Sequence, residues 1–155
     1  MISHGGAAEV ESVLGRLTAW ARQQPDVRAL ALVGSWARGA AHGASDVDVV
    51  LLTDSPERYV VDDDWPAEVG GERLLTTRRW GPLTERRFLL GTGLEVDFCV
   101  GPPAWASVDP LDPGTAAVVS AGMRSLHDPD GALATLAAAV AARRRLRRGS
   151  PGCST

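Results

Sequence analysis

Residues 46–54, Asp-Val-Asp-Val-Val-Leu-Leu-Thr-Asp, have the apolar composition of a buried β-strand, yet carboxylates stand at positions 46 and 48. Side chains alternate across a strand, so Asp46 and Asp48 point to one face and Val47 and Val49 to the other, with the two aspartate Cα atoms ~6.5 Å apart at ~3.3 Å rise per residue. A second run, Leu94–Val100, repeats the pattern: Leu94, Val96 and Phe98 share one face, and Asp97 projects from the other. If the two strands pair, Asp97 becomes a third oxygen donor, with Glu95 on the same face as the alternative. Three carboxylates about 5 Å apart repel by roughly 3 kcal/mol per pair at an effective dielectric near 20. That is heavy against a domain stability of only ~5–15 kcal/mol. A hard divalent cation removes the repulsion, because Mg²⁺ takes oxygen ligands and recruits the remainder from water and phosphate. Two such ions ~3.5–4 Å apart stabilise both the attacking and the leaving oxygen of an in-line displacement.

The flanking sequence supplies a sheet and helices around those strands. Residues 7–24 place Val10, Val13, Leu14, Leu17 and Ala21 at helical spacing, and Pro25 stops that helix before a turn at Asp26. Val27–Gly34 reads as a strand, and Ser35–Ala41 as a short helix entered through Ser35 as its cap. Gly43 breaks the chain before the Asp46–Asp54 strand, which the turn residues Thr53–Glu57 close. Residues 57–71 read as a short helix or extended segment and then a loop. Three strand-like runs follow at 72–80, 83–90 and 94–100, the last two joined by the hairpin loop Gly91-Thr92-Gly93. Prolines 102, 103, 110 and 113 punctuate a connection to a helix over 114–122, a short strand or loop over 123–128, and a terminal helix over 130–148. The order implies an α/β (α+β) sheet with helices packed on it, as one domain over residues 1–148. A chain of 155 residues can bury a sufficient core without disulfides or a structural metal. The tail, 149–155, is expected to be disordered.

The Gly34-Ser35 turn adds an anion site to the carboxylates. Gly34 lets the backbone come close to a bound group, and the amides at the start of a helix opened by Ser35 favour a phosphate. Arg38, one turn on, can reach the same anion, and Ser45 either orients the Asp46 loop or touches the ligand. The run Gly34-Ser35, ten residues, Asp46-Val47-Asp48, with Asp97 on a later strand, resembles the nucleotidyltransferase fold shared with DNA polymerase beta. Gly34–Gly39 and Ser45–Asp48 are similar in particular to Gly-Ser-x-Ala-Arg-Gly and Ser-Asp-x-Asp of the small bacterial members, the minimal nucleotidyltransferases and aminoglycoside adenylyltransferases. The resemblance implies a mixed twisted sheet carrying Mg²⁺, with Mn²⁺ as the alternative, on Asp46, Asp48 and Asp97. It implies further that Asp97 helps deprotonate an acceptor hydroxyl, and that Gly34 and Ser35 hold the triphosphate of ATP or another NTP. The reaction implied moves a nucleoside monophosphate, AMP in the first instance, to the hydroxyl of a small molecule or protein, releasing pyrophosphate. An antitoxin-type enzyme acting on a HEPN toxin partner, and a non-catalytic nucleotide-binding module, are the alternatives. The ~50 residues after Val100 are few for the helical acceptor domain of the aminoglycoside enzymes, unless a homodimer completes the pocket.

Other features carry blander readings. A net charge of −3, with no lysine in the chain, gives no basic excess of the kind general nucleic-acid binders show. Cys99 and Cys153 lack metal-ligand spacing. No apolar run approaches the ~18 residues of a spanning helix, so a soluble, cytoplasmic protein without membrane contact is expected. Trp20, Trp36, Trp65, Trp80 and Trp105 are read as packing rather than base-stacking residues. Asp62-Asp63-Asp64 is read as a solvated loop before an acceptor-attracting one, and His42 as a loop residue. Arg143–Arg148 suits a helix C-terminus.

Overall fold

The computed structural model describes residues 6–41, 46–62 and 64–148. Ser45, His42 and Asp63, together with Cys153 and the tail, lie outside them. The elements in chain order are α1 (Ala7–Arg22), β1 (Val27–Val33), α2 (Gly34–Ala37), β2 (Val47–Thr53), α3 (Pro56–Val61), α4 (Trp65–Glu68), β3 (Gly71–Trp80), β4 (Leu83–Leu90), β5 (Glu95–Gly101), a 3₁₀ turn (Pro103–Ala106), α5 (Pro113–Ala121), β6 (Met123–His127) and α6 (Ala132–Arg148). The six strands form one sheet in the order β3-β4-β5-β2-β1-β6. Only the β2–β5 pair is parallel; β1–β2, β1–β6, β3–β4 and β4–β5 are antiparallel. This is the sheet with packed helices that the sequence pattern implies, and it is mixed, as the resemblance implies.

Strand alternation divides the core into two layers. Val47, Val49 and Leu51 of β2 and Val96, Phe98 and Val100 of β5 join the cluster beneath α1, α3 and α4. Val10, Leu14, Leu17 and Ala21 bury one stripe of α1 in that layer, as their helical spacing requires. Trp65 stands at its centre, stacked on Trp20 at 5.3 Å and edge-on to Phe98 at 5.0 Å and Phe88 at 5.6 Å. Ala29, Ala31, Val33, Val50 and Leu52 form the opposite layer with Trp105 of the 3₁₀ turn, Ala116 of α5 and Leu133, Leu136 and Val140 of α6. Asp48 lies in phase with Val50 and Leu52, and Asp97 with Cys99, so both carboxylates belong to this second face.

Some local expectations change. Residues 57–71 resolve into two short helices and the start of β3, because Pro56 and Pro66 each sit in a first helical turn, where their missing N–H costs nothing. The short helix after β1 covers only Gly34–Ala37, its N-cap is Val33, and no side chain makes the capping bond; Ser35 is therefore not its cap. Gly34 and Gly39, at either end of the turn, take φ 75° and 72°, a region that glycine enters without a Cβ clash. Trp20, Trp65 and Trp105 are buried as expected, whereas Trp80 is 54% exposed at the end of β3. Its indole N–H donates to Glu85 Oε1 at 2.9 Å rather than packing in the core.

Candidate active site

The parallel pairing of β2 with β5 sets Asp48 directly opposite Asp97. Asp46 immediately precedes β2, one residue before Val47. The antiparallel pairing of β4 with β5 then sets Arg87 opposite Asp97 on the other side. Three strands thus bring three aspartates and one arginine to one patch of one face. Their exposure is graded: the Asp97 side chain is 6% exposed, against 33% for Arg87 and 36% for Asp46. Glu95, the sequence-level alternative to Asp97, is 38% exposed and lies nearer the rim, 3.6 Å from Arg87 Nη1.

Arg87 holds Asp97 through a two-pronged contact. Nε donates to Oδ1 at 2.6 Å and Nη2 to Oδ2 at 2.9 Å, a planar match that arginine makes and lysine does not. Nη2 also lies 3.3 Å from Asp46 Oδ2. The hydrogen bond to Asp97 leads the causes that raise the proton affinity of the guanidinium. One positive charge does not neutralise three carboxylates, and Asp48 carries the imbalance. Burial first, then its hydrogen bond with Asp97 and the charges of Asp97 and Asp46, push the Asp48 carboxyl up to about 7, against a weaker opposing pull from Arg87. Burial also pushes the nearby Cys99 thiol up to about 12, which leaves it protonated and a poor nucleophile near neutral pH.

The glycine turn closes on the same patch. A Cβ at position 34 would stand 2.5 Å from Asp48 Oδ2, so only glycine lets the β1–α2 turn lie against that carboxylate. Ser35 follows in the half-buried turn, and Arg38 is exposed at the C-cap of α2. With four residues, α2 is too short for a macrodipole of consequence. Gly122, at the head of β6, lets α2 approach: a Cβ there would come within 2.9 Å of Arg38 Cβ.

The donor set fits a divalent cation. Carboxylate oxygens are the ligands Mg²⁺ and Mn²⁺ take, and the raised proton affinity of Asp48 marks a site short of positive charge. As the side chains stand, no group of three or more His, Cys, Asp or Glu among the described residues is spaced to hold a metal ion. Both oxygens of Asp97 are engaged by Arg87.

Sequence reading missed Arg87, although its signal was present. The loop Gly91-Thr92-Gly93 centres the β4–β5 hairpin on residue 92, and that centring pairs 87 with 97 as it pairs Phe88 with Val96. The neighbouring Arg86 points to the opposite face, where it is 3% exposed and its Nη1 donates to the Tyr59 carbonyl at 2.9 Å. Two adjacent arginines in a strand necessarily have different surroundings.

Residues 17–86 match the family model described as "Nucleotidyltransferase domain". No curated protein matches the sequence. Among solved structures, an aminoglycoside 6-adenyltransferase from Bacillus subtilis is 15% identical over 66% of this chain and 36% of its own, with a TM-score of 0.46. A toxin–antitoxin structure with AMP-PNP is 12% identical over 90% of this chain and 93% of its own, with a TM-score of 0.45. The polymerase core of TRAMP, an RNA surveillance complex, is 14% identical over 61% of this chain and 32% of its own, with a TM-score of 0.46. The chain spans about a third of the length of the first and third of these. The Gly-Ser turn and the Ser-Asp-x-Asp run both lie inside the matched segment, so residues 17–86 are similar to the nucleotidyltransferase domain family.

Proposed function

We propose that this enzyme, with residues 1–148 as its single domain, transfers a nucleoside monophosphate from an NTP, ATP first, to a hydroxyl of a small molecule or protein. The observation that carries this reading is the cross-strand pairing of Asp48 with Asp97 beside Gly34, where an added Cβ would crowd Asp48 Oδ2. Asp46, Asp48 and Asp97 would hold the divalent cation, Mg²⁺ before Mn²⁺, which when bound neutralises the triphosphate and the charge developing at phosphorus. Gly34 and Ser35 offer backbone N–H groups to the phosphates, with Arg38 at the margin of the same anion site. Asp97 is the innermost carboxylate and the one suited to accept the acceptor's proton once its oxygens are released from Arg87. The new bond forms between the acceptor oxygen and the α-phosphorus, and the bond to pyrophosphate breaks. Catalysis of this kind rests on positioning and charge compensation.

The acceptor would approach on the β3–β4 side of the sheet, away from β1 and β6, which α5 and α6 contact. A HEPN-type protein acceptor, as for an antitoxin, and a pocket completed by a homodimer remain within this scheme. A cytoplasmic location fits an NTP-using enzyme in which no helix among the described residues is long and apolar enough to cross a membrane. The test is incubation with each of the four α-labelled NTPs, Mg²⁺ and cell extract. Label transfer with pyrophosphate release, lost in Asp97→Asn while nucleotide binding persists, is the expected result. Tight Mg-NTP binding without turnover on any acceptor would instead identify a non-catalytic nucleotide-binding module.

A further inference from the structure

Arg87 stands where a cation is needed, and its geometry makes it more than a structural ion pair. Its guanidinium occupies both oxygens of Asp97 at 2.6 and 2.9 Å and reaches Asp46 at 3.3 Å. Those are oxygens that a divalent ion would need, and a guanidinium repels such an ion strongly at this range. The side chain is nonetheless a third exposed, and Glu95 lies on its outer side with Oε1 already 3.6 Å from Nη1. Glu95 and Asp97 are two residues apart on one strand and so project from the same face. A small rotation of the arginine's outer torsions therefore exchanges one carboxylate for the other without moving the sheet.

We propose that Arg87 is the resident counter-ion of the metal-free carboxylate cluster and that divalent metal displaces it outward onto Glu95. This rests on the carboxylates being the metal site, as proposed above. Metal and guanidinium are then mutually exclusive at Asp97, and Arg87 holds the affinity of the nucleotide-free protein for divalent metal down. The triphosphate, by adding negative charge to the site, favours the exchange, so metal and nucleotide load together rather than metal alone first.

Mn²⁺ titration of the full chain without nucleotide, followed by the loss of the free-ion paramagnetic resonance signal, tests this. Arg87→Gln should bind Mn²⁺ about tenfold more tightly or better than the wild type, the order expected when one unit charge ~4 Å away is removed. Arg87→Lys, which keeps the charge, should stay near the wild type. Glu95→Gln, which removes the outward partner and leaves the cluster intact, should weaken Mn²⁺ binding, and it serves equally if Arg87→Gln does not fold. Unchanged or weaker binding by a folded Arg87→Gln, or an unaltered Glu95→Gln, would overturn the proposal while leaving the metal site standing. Absence of Mn²⁺ binding in the wild type and in Arg87→Gln, even with ATP, would overturn the metal site and this inference together.

Discussion

Replacing Asp48 by Asn should stabilise the metal-free protein at neutral and alkaline pH while abolishing transfer. Burial and the neighbouring carboxylates lift the Asp48 carboxyl from 3.8 to about 7. The native protein therefore binds this proton more tightly than the unfolded chain, and stability falls as pH rises between roughly 4 and 7. At about 1.36 kcal/mol per unit the full shift would correspond to ~4 kcal/mol; partial solvent access and screening reduce this to about 1–2 kcal/mol. Asn keeps the shape and can donate a hydrogen bond to Asp97, but never carries the charge. For a chain of this size the gain corresponds to a rise in melting temperature of about 3–6 °C. Thermal melts followed by circular dichroism in chelator-containing buffer should show this gain near pH 8 and lose it near pH 4.5, where wild-type Asp48 is protonated in the native state. A pH-independent difference, or an Asp48→Asn protein that melts lower near pH 8, would refute the reasoning, because the strain would then not be electrostatic.

Gly34→Ala combines a left-handed backbone at φ 75° with a Cβ 2.5 Å from Asp48 Oδ2, and should cost about 1–3 kcal/mol of stability. Activity should fall further than stability, which paired melting and label-transfer measurements would show. Trp65→Ala empties the centre of the aromatic layer and should cost about 3–5 kcal/mol by urea denaturation, with nucleotide binding intact wherever the variant remains folded.

The aspartates, the glycine turn and the elements bearing them were legible in the sequence because each is a local property. Alternation on β2 and β5 assigns Asp48 and Asp97 to the face opposite Val47, Val49, Val96 and Phe98 whatever the neighbours are. The stripe on α1 and the Gly91–Gly93 turn are likewise written into adjacent residues. Which strands would be neighbours was not local. The parallel join of β2 to β5 spans two helices and a hairpin, and no short-range pattern decides between that order and others. That join turns two separate polar positions into one cluster and decides between Asp97 and Glu95 as its inner member.

Arg87 shows the same division. Its strand and face follow from alternation, but its meaning comes from the hairpin register that sets it against Asp97. Trp80 shows it in reverse: an aromatic residue read as packing is 54% exposed on β3, the sheet's edge strand, a position that sequence periodicity does not encode. What the sequence by itself determined was the chemistry of the parts: three hard carboxylates, a glycine turn, and the helices and strands that carry them. What only the tertiary structure decided was their mutual electrostatics, because charge interactions depend on distances across strands far apart in the chain.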